Sequence, residues 1–141
     1  NNNIRMIQLV LQYNANVTLA DDWNSTPLHM ACKNKNEEIV SLLIKKNGAK
    51  IMYAQNNHNE TPLHHACWFG RINIVKCLLL LANNDDDDQS PDDRILLLSQ
   101  AKNKNQQTPL DYARQRGHTE LVTMLKTMAD RPKKKKKIGE N

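Results

Sequence analysis

A repeated tetrapeptide constrains the fold of this chain more than any other feature. Thr-Pro-Leu-His occurs at residues 26–29 and again at 61–64, and Thr-Pro-Leu-Asp follows at 108–111. The copies are 35 residues apart, from 26 to 61, and then 47 residues apart, from 61 to 108. An apolar run follows each copy, at residues 38–44, 73–79 and 120–125. A period of this length predicts an array of stacked supersecondary units.

Each unit carries the sequence signals of a helix pair. The threonine caps free N–H groups and the proline fits the first helical position, so a short helix begins at each Thr-Pro. Gly70 and Gly117 end that helix in the second and third copies. In the first copy the apolar residues at positions 39, 40, 42 and 43 form one face of a second helix. A single helix pair cannot bury this face, so we expect stacked copies to bury it against each other.

These motifs resemble those of the ankyrin repeat family, over three full copies and an N-terminal half repeat. The resemblance implies an all-α solenoid of stacked helix-turn-helix units with short hairpin-like turns. It also implies a protein-binding scaffold that is not an enzyme. The chain departs from the family where the turn glycine is replaced by Asn24, Asn59 and Gln106. Asparagine tolerates a positive φ, whereas Gln106 is less suited to it, which leaves the geometry of the third turn open.

The expected repeat domain spans residues 1–130, followed by a basic tail at 131–141 that we expect to be disordered. It divides into a half repeat at 1–20 and repeats at 21–55, 56–102 and 103–130. The second repeat carries an acidic insertion at 83–97, for which we expect a mobile loop. The apolar run at 95–98 then lengthens a helix or packs beside Leu80 and Leu81. The half repeat lacks a first helix and the third copy is more polar, so we expect further repeats before residue 1 and a cap at the C-terminal end.

The charge distribution disfavours a nucleic-acid-binding domain. The net charge is +5, but six of the 20 Lys and Arg residues lie at 131–137, and residues 1–130 hold 14 basic and 14 acidic residues. A nucleic-acid-binding fold is expected to carry its basic residues on a folded face. The basic cluster resembles a nuclear localisation signal, although it could equally contact an anionic membrane or an acidic protein. We therefore expect a cytoplasmic protein that enters the nucleus if this cluster acts as a nuclear localisation signal.

The histidines and cysteines do not form a recognisable metal or catalytic motif. His29, His64, His65, Cys32 and Cys67 lack the spacing of a zinc site. The resemblance implies that the histidine of Thr-Pro-Leu-His bridges adjacent turns, and that Cys32 and Cys67 fill small buried positions. Three cysteines without framework spacing fit a reducing compartment. We therefore predict no metal, no cofactor and no small-molecule substrate.

The expected partner-binding surface is the concave groove together with the turn tips. Trp68 and Phe69 end the second copy's first helix, where the resemblance implies an exposed groove position. The alternative is that they pack under the extended loop or against Lys33 and Asn34 of the preceding copy. Trp23 lies at a turn tip. The full predicted set is Asp22, Trp23, Ser25, Lys33, Asn34, Asn57, His58, Glu60, Trp68, Phe69, Lys104, Asn105, Gln107, Gln115 and Arg116.

The predicted function is a scaffold that binds a partner protein of unknown identity. An alternative is that the chain forms a regulatory or targeting segment of a larger enzyme or channel, because repeats of this kind are often built into such proteins. A third hypothesis is an effector that uses the basic tail in the nucleus.

Overall fold

Each Thr-Pro pair begins a short helix. The computed structural model describes residues 2–13, 16, 18–82 and 90–130. Helices α2 (Pro27–Lys33), α4 (Pro62–Trp68) and α7 (Pro109–Gln115) have seven residues each. The threonine before each proline is extended, with ψ at 165°, as a capping residue requires. After each helix the chain adopts a positive φ, at Lys35 (61°), Gly70 (64°) and Gly117 (74°). Only the first of these three turns lacks glycine.

A longer helix follows each short one and buries one apolar face. These helices are α3 (Glu37–Asn47), α5 (Ile72–Leu81) and α8 (Thr119–Ala129). Val40 and Val75 are fully buried, and Leu121 is 2% exposed. Helix α1 (Asn2–Gln12) packs against α3 in the same way, as the second helix of the predicted half repeat. A 3₁₀ helix, Ala49–Tyr53, follows α3 and buries Met52.

The helix pairs stack in register. The short helices form one row in which α2 packs against α4 and α4 against α7, while α3 packs against α5. Ala66 and Ala113 in this row are fully buried, and such small side chains allow close approach of the helices. No strand occurs in the described part of the chain. The prediction of an all-α solenoid of helix-turn-helix units is therefore confirmed.

The turns before each short helix share one hairpin-like geometry. Asp21, Asn56 and Asn103 each accept two backbone N–H groups on one side-chain oxygen, at 2.8–3.0 Å. Asn24, Asn59 and Gln106 adopt φ of 60°, 58° and 62°. Gln106 therefore takes the same left-handed conformation as the two asparagines, and the third turn is not altered. The Asp or Asn five residues before each threonine is a sequence signal for this turn.

The structure overturns the loop prediction for the described part of the insertion, residues 90–97. Helix α6 (Pro91–Gln100) begins inside it, and the Ser90 hydroxyl accepts the Asp93 N–H at 3.2 Å. Ser-Pro-Asp-Asp is an ordinary helix start, and the apolar run after it stabilises the helix by burial. Leu98 is 1% exposed, and α6 packs against α7 and α8. Leu80 is 65% exposed, so it is not the residue that covers this run.

The remaining predicted segments lie outside the described residues. These are positions 83–89 of the insertion and the basic tail at 131–141. The start of α6 is tied to the end of α5 by the buried side chain of Arg94, whose Nη1 donates to the Ala82 carbonyl at 3.1 Å.

Candidate partner-binding groove

Two buried histidines join neighbouring repeats. His29 Nδ1 accepts the Thr26 N–H at 3.1 Å, and its Nε2 lies 2.9 Å from the Glu60 carbonyl of the next repeat. A carbonyl can only accept, so the proton is on Nε2. His64 makes the same pair of contacts, with Thr61 at 3.1 Å and Gln107 at 3.1 Å. Burial lowers the pKa of His29 to about 4 and also lowers the pKa of His64. The predicted bridging role of both histidines is confirmed.

The third repeat has an aspartate at the equivalent position. Asp111 Oδ2 accepts the Thr108 N–H at 2.9 Å, and its other oxygen lies 3.5 Å from Arg114. The hydrogen bond from Thr108 lowers the pKa of Asp111. Asp111 thus accepts the N–H group at the start of its own helix, which is one of the two contacts that each histidine makes.

A polar network centred on Glu60 lies between the turns and the short helices. Glu60 Oε2 accepts from His65 Nε2 at 3.2 Å and from Asn56 Nδ2 at 3.0 Å, and Glu60 Oε1 accepts from the Tyr112 hydroxyl. Asn103 Nδ2 in turn donates to the Tyr112 oxygen at 2.8 Å. The bond from His65 holds the pKa of Glu60 down to about 2, while burial and Glu60 raise the pKa of Tyr112 to about 12. The network fixes the third repeat to the second.

Trp68 and Phe69 are half-buried and each has a cation above the ring. The Trp68 ring contacts Tyr112 edge-on with centroids 4.9 Å apart, and the Arg116 guanidinium lies 4.8 Å from its centroid. Lys33 Nζ lies 5.7 Å and Arg71 5.9 Å from the Phe69 centroid. The aromatic pair that was expected to be exposed is therefore only half exposed. The alternative, that the pair packs against the preceding repeat, describes Phe69, because Lys33 covers its ring.

Trp23 presents a largely exposed aromatic ring at the first turn tip. Trp23 is 64% exposed, although its backbone N–H and its carbonyl are both hydrogen-bonded. The Trp23 N–H donates to Asp21 Oδ1 at 3.0 Å, and its carbonyl accepts the Asn57 N–H of the next turn at 2.8 Å. Lys104 N–H joins the third turn to His58 at 2.9 Å in the same way. The tips therefore form a ladder that displays side chains on a fixed backbone.

The structure leaves most of the predicted residues exposed or half-buried. Ser25 is the exception, because it is only 8% exposed; it belongs to the turn's internal hydrogen bonds and not to the surface. Half-buried positions are Glu60, Trp68, Phe69 and Gln107; exposed positions are Asp22, Trp23, Lys33, Asn34, Asn57, His58, Lys104, Asn105, Gln115 and Arg116. The prediction omitted His65, Tyr112 and Arg71. His65 and Tyr112 directly follow the residue that accepts the N–H of the capping threonine, His64 or Asp111, so both occupy the same position of their repeat.

The cysteines behave as buried packing residues. Cys32 and Cys67 are fully buried, and burial raises the pKa of both thiols, so both stay protonated. Among the described residues no group of three or more His, Cys, Asp or Glu is placed to hold a metal ion. None of the described helices is both long and apolar enough to cross a bilayer.

The fold and groove define a class of protein, the helical-repeat solenoid with projecting turns. The chain belongs to the ankyrin repeat family: the family model for ankyrin repeats in three copies matches residues 1–90. Ankyrin repeats generally mediate protein–protein interaction, and the fold itself is non-catalytic.

The similar curated proteins are much longer than this chain. Serine/threonine-protein kinase TNNI3K of Mus musculus is 27% identical over 139 residues, covering 74% of this chain and 16% of the kinase. Transient receptor potential cation channel subfamily A member 1 of Homo sapiens is 30% identical over 105 residues, covering 74% of this chain and 8% of the channel. Inversin of Canis lupus familiaris is 30% identical over 77 residues, covering 55% of this chain and 7% of that protein.

Proposed function

We propose that this chain is a non-catalytic module that binds a partner protein through its concave groove and turn tips. The observation that carries the proposal is Trp23. Its ring is 64% exposed while its backbone is held by Asp21 on one side and Asn57 on the other. A rigid tryptophan loses little conformational freedom on binding, and tryptophan is among the residues that contribute most at interfaces.

The groove contributes a second part of the proposed surface. The rings of Trp68 and Phe69 are half-buried, so their role is to shape the groove and to position the cations above them. The rim is formed by the exposed tips at Asn57, His58 and Lys104. A partner segment lying along the groove would contact both parts.

The test is to isolate a partner from matching cell extract on the immobilised domain, and then to measure its affinity for two variants. Trp23→Ala is expected to weaken binding by about 2 kcal/mol, the size of an interface hot spot. The matched control is Leu97→Ala, which removes an exposed apolar side chain, 54% exposed, from α6. If Trp23→Ala binds the partner as tightly as the unchanged domain does, Trp23 is not part of the site. Loss of binding in both would indicate non-specific apolar adsorption.

We also propose, as a second candidate, that the module serves as a regulatory or targeting segment of a longer chain. An apolar cleft of about 310 Å³ between α1, α2 and α3 supports this, with Val10, Pro27 and Met30 in its lining. On α4 and α7, the side of the short helix that corresponds to this cleft is covered by the preceding short helix, α2 or α4. The relatives are themselves much longer. Sequencing the parent transcript tests it: a parent that consists of repeats alone would refute it.

For localisation we propose a cytoplasmic protein whose basic cluster at 131–137 directs it to the nucleus. The support is the sequence, six basic residues within seven positions. Imaging a fluorescent fusion with and without residues 131–141 tests this, and unchanged nuclear signal after the deletion would refute it.

A further inference from the structure

The groove edge collects cations from three repeats around two aromatic rings. Lys33 belongs to the first repeat, Arg71 to the second and Arg116 to the third. Lys33 and Arg71 lie within 6 Å of the Phe69 centroid, and Arg116 lies 4.8 Å from that of Trp68. Arg71 Nε also donates to the Lys33 carbonyl at 3.2 Å, which links the first two repeats and fixes one member of the group.

No carboxylate of the described residues forms an ion pair with these three cations. Glu60 is engaged by His65, Asn56 and Tyr112, and Asp111 is engaged by Thr108 and Arg114. The first turn of α5, beside Arg71, contains no acidic residue. The groove edge is therefore locally positive, although residues 1–130 are balanced in charge.

We propose that the groove's occupant is an extended acidic segment of a partner protein, a proposal that rests on the function proposed above. One carboxylate pairs with Lys33 and Arg71 at Phe69, and a second pairs with Arg116 at Trp68. Arg71 follows α4 and Arg116 follows α7, and these two helices pack against each other. Packed helices lie about 10 Å apart, so these two cations are separated by roughly that distance. An extended chain rises about 3.3 Å per residue, which places the two carboxylates about three residues apart. An apolar side chain between them contacts the ring edges.

A nucleic acid fits this surface less well. Binding of single strands uses free aromatic faces on which bases stack. Here the Trp68 ring is already contacted by Tyr112 and Arg116, and the Phe69 ring by Lys33 and Arg71.

The test measures fluorescence anisotropy of labelled peptides with the whole chain. The first probe is a ten-residue peptide with aspartates three residues apart and leucines between them. The second has lysine in place of each aspartate, and the third is a ten-nucleotide thymidine strand. The acidic peptide is expected to bind and the lysine peptide is not. Raising the salt from about 0.05 M to about 0.5 M is expected to weaken binding, because exposed charges are screened.

Two matched triple variants locate the site. Lys33→Gln, Arg71→Gln, Arg116→Gln removes three positive charges from the groove edge and is expected to weaken acidic-peptide binding at least about tenfold. Lys45→Gln, Lys46→Gln, Lys50→Gln removes the same charge from exposed positions at the end of α3 and beyond, and is expected to keep the affinity. Arg116→Gln alone removes a side chain that makes no hydrogen bond within the described part of the chain, and it is expected to cost about threefold.

Three results would overturn the proposal: equal effects of the two triple variants, equal binding of both peptides, or tighter binding of the thymidine strand. Suppose that the acidic peptide fails to bind, yet a captured partner still loses affinity with Trp23→Ala. The acidic segment is then refuted while the protein-binding function stands. If the partner is also insensitive to Trp23→Ala, both proposals fail.

Discussion

Lowering the pH from 7 to 5 is expected to destabilise this fold through its buried histidines. His29 is fully buried, with Nδ1 accepting from Thr26 and Nε2 donating to Glu60. The ring can therefore take a second proton only at Nδ1, where it would lose the bond from Thr26. Its pKa is about 4 in the fold and near 6.5 in an unfolded chain. Between pH 4 and pH 6.5 the unfolded chain binds more protons than the folded chain does. Stability that is fully present above pH 6.5 is therefore lost as the pH falls towards 4.

The linkage relation sets the size of the effect. With pKa values of about 4 folded and 6.5 unfolded, the free energy of unfolding falls by about 2 kcal/mol between pH 7 and pH 5 for His29 alone. The lowered pKa of His64 acts in the same direction. Glu60 does not contribute in this window, because its stabilisation is lost only between its ordinary value near 4.5 and its folded value of about 2. A loss of this size lowers Tm by roughly 4–8 °C.

The assay is urea unfolding followed by circular dichroism at pH 7 and pH 5. In His29→Ala the difference in unfolding free energy between the two pH values is expected to shrink by about 2 kcal/mol. His58→Ala, which removes an exposed histidine from a turn tip, is the matched control and is expected to keep the full difference. The reasoning would be refuted by equal stability at both pH values, or by His29→Ala retaining the whole difference.

Three further substitutions test the packing. Leu98→Ala is expected to lower the free energy of unfolding by about 2–4 kcal/mol in chemical unfolding, because this side chain is 1% exposed. Leu97→Ala should cost little, and equal costs would mean that α6 is not part of the core. Gly70→Ala is expected to lower Tm, since φ is +64° and a Cβ would lie 2.6 Å from the His118 ring; an unchanged Tm contradicts this contact. Gln106→Gly is expected to stabilise the fold by up to about 1 kcal/mol, because φ is 62°; destabilisation in thermal melts would refute it.

The groove was predictable in outline and not in detail. The repeat placed Trp68 and Phe69 at the end of a short helix, which is where they lie. Their exposure depended on which residues of the neighbouring repeats reach them, and Tyr112 and Arg116 come from 44 and 48 positions further along the chain than Trp68. Side-chain contacts across repeats carry no periodic signal in one sequence. The prediction therefore overestimated the freedom of both rings and omitted Tyr112 altogether.

Turn conformation shows the same division. The asparagines at positions 24 and 59 indicated a left-handed residue, since asparagine tolerates positive φ. Gln106 and Lys35 carry no such preference, yet both adopt φ near 60°. Their conformations are imposed by hydrogen bonds on either side, such as those that Asn103 accepts from Asn105 and Gln107 at 2.9 Å.

The resemblance to the ankyrin repeat family implied the role of the histidines, whereas the sequence by itself determined the helix pairs and their order. These properties follow from local chemistry: proline and threonine start a helix, a period-3.6 apolar face demands burial, and a repeated unit satisfies that demand by stacking. Only the tertiary structure decided that the end of the insertion is a core helix, that Ser25 is buried, and that the groove edge is positive. Each of these depends on side chains from different repeats meeting in space. Their burial and charge pairing are set by stacking, a long-range arrangement that local sequence does not encode.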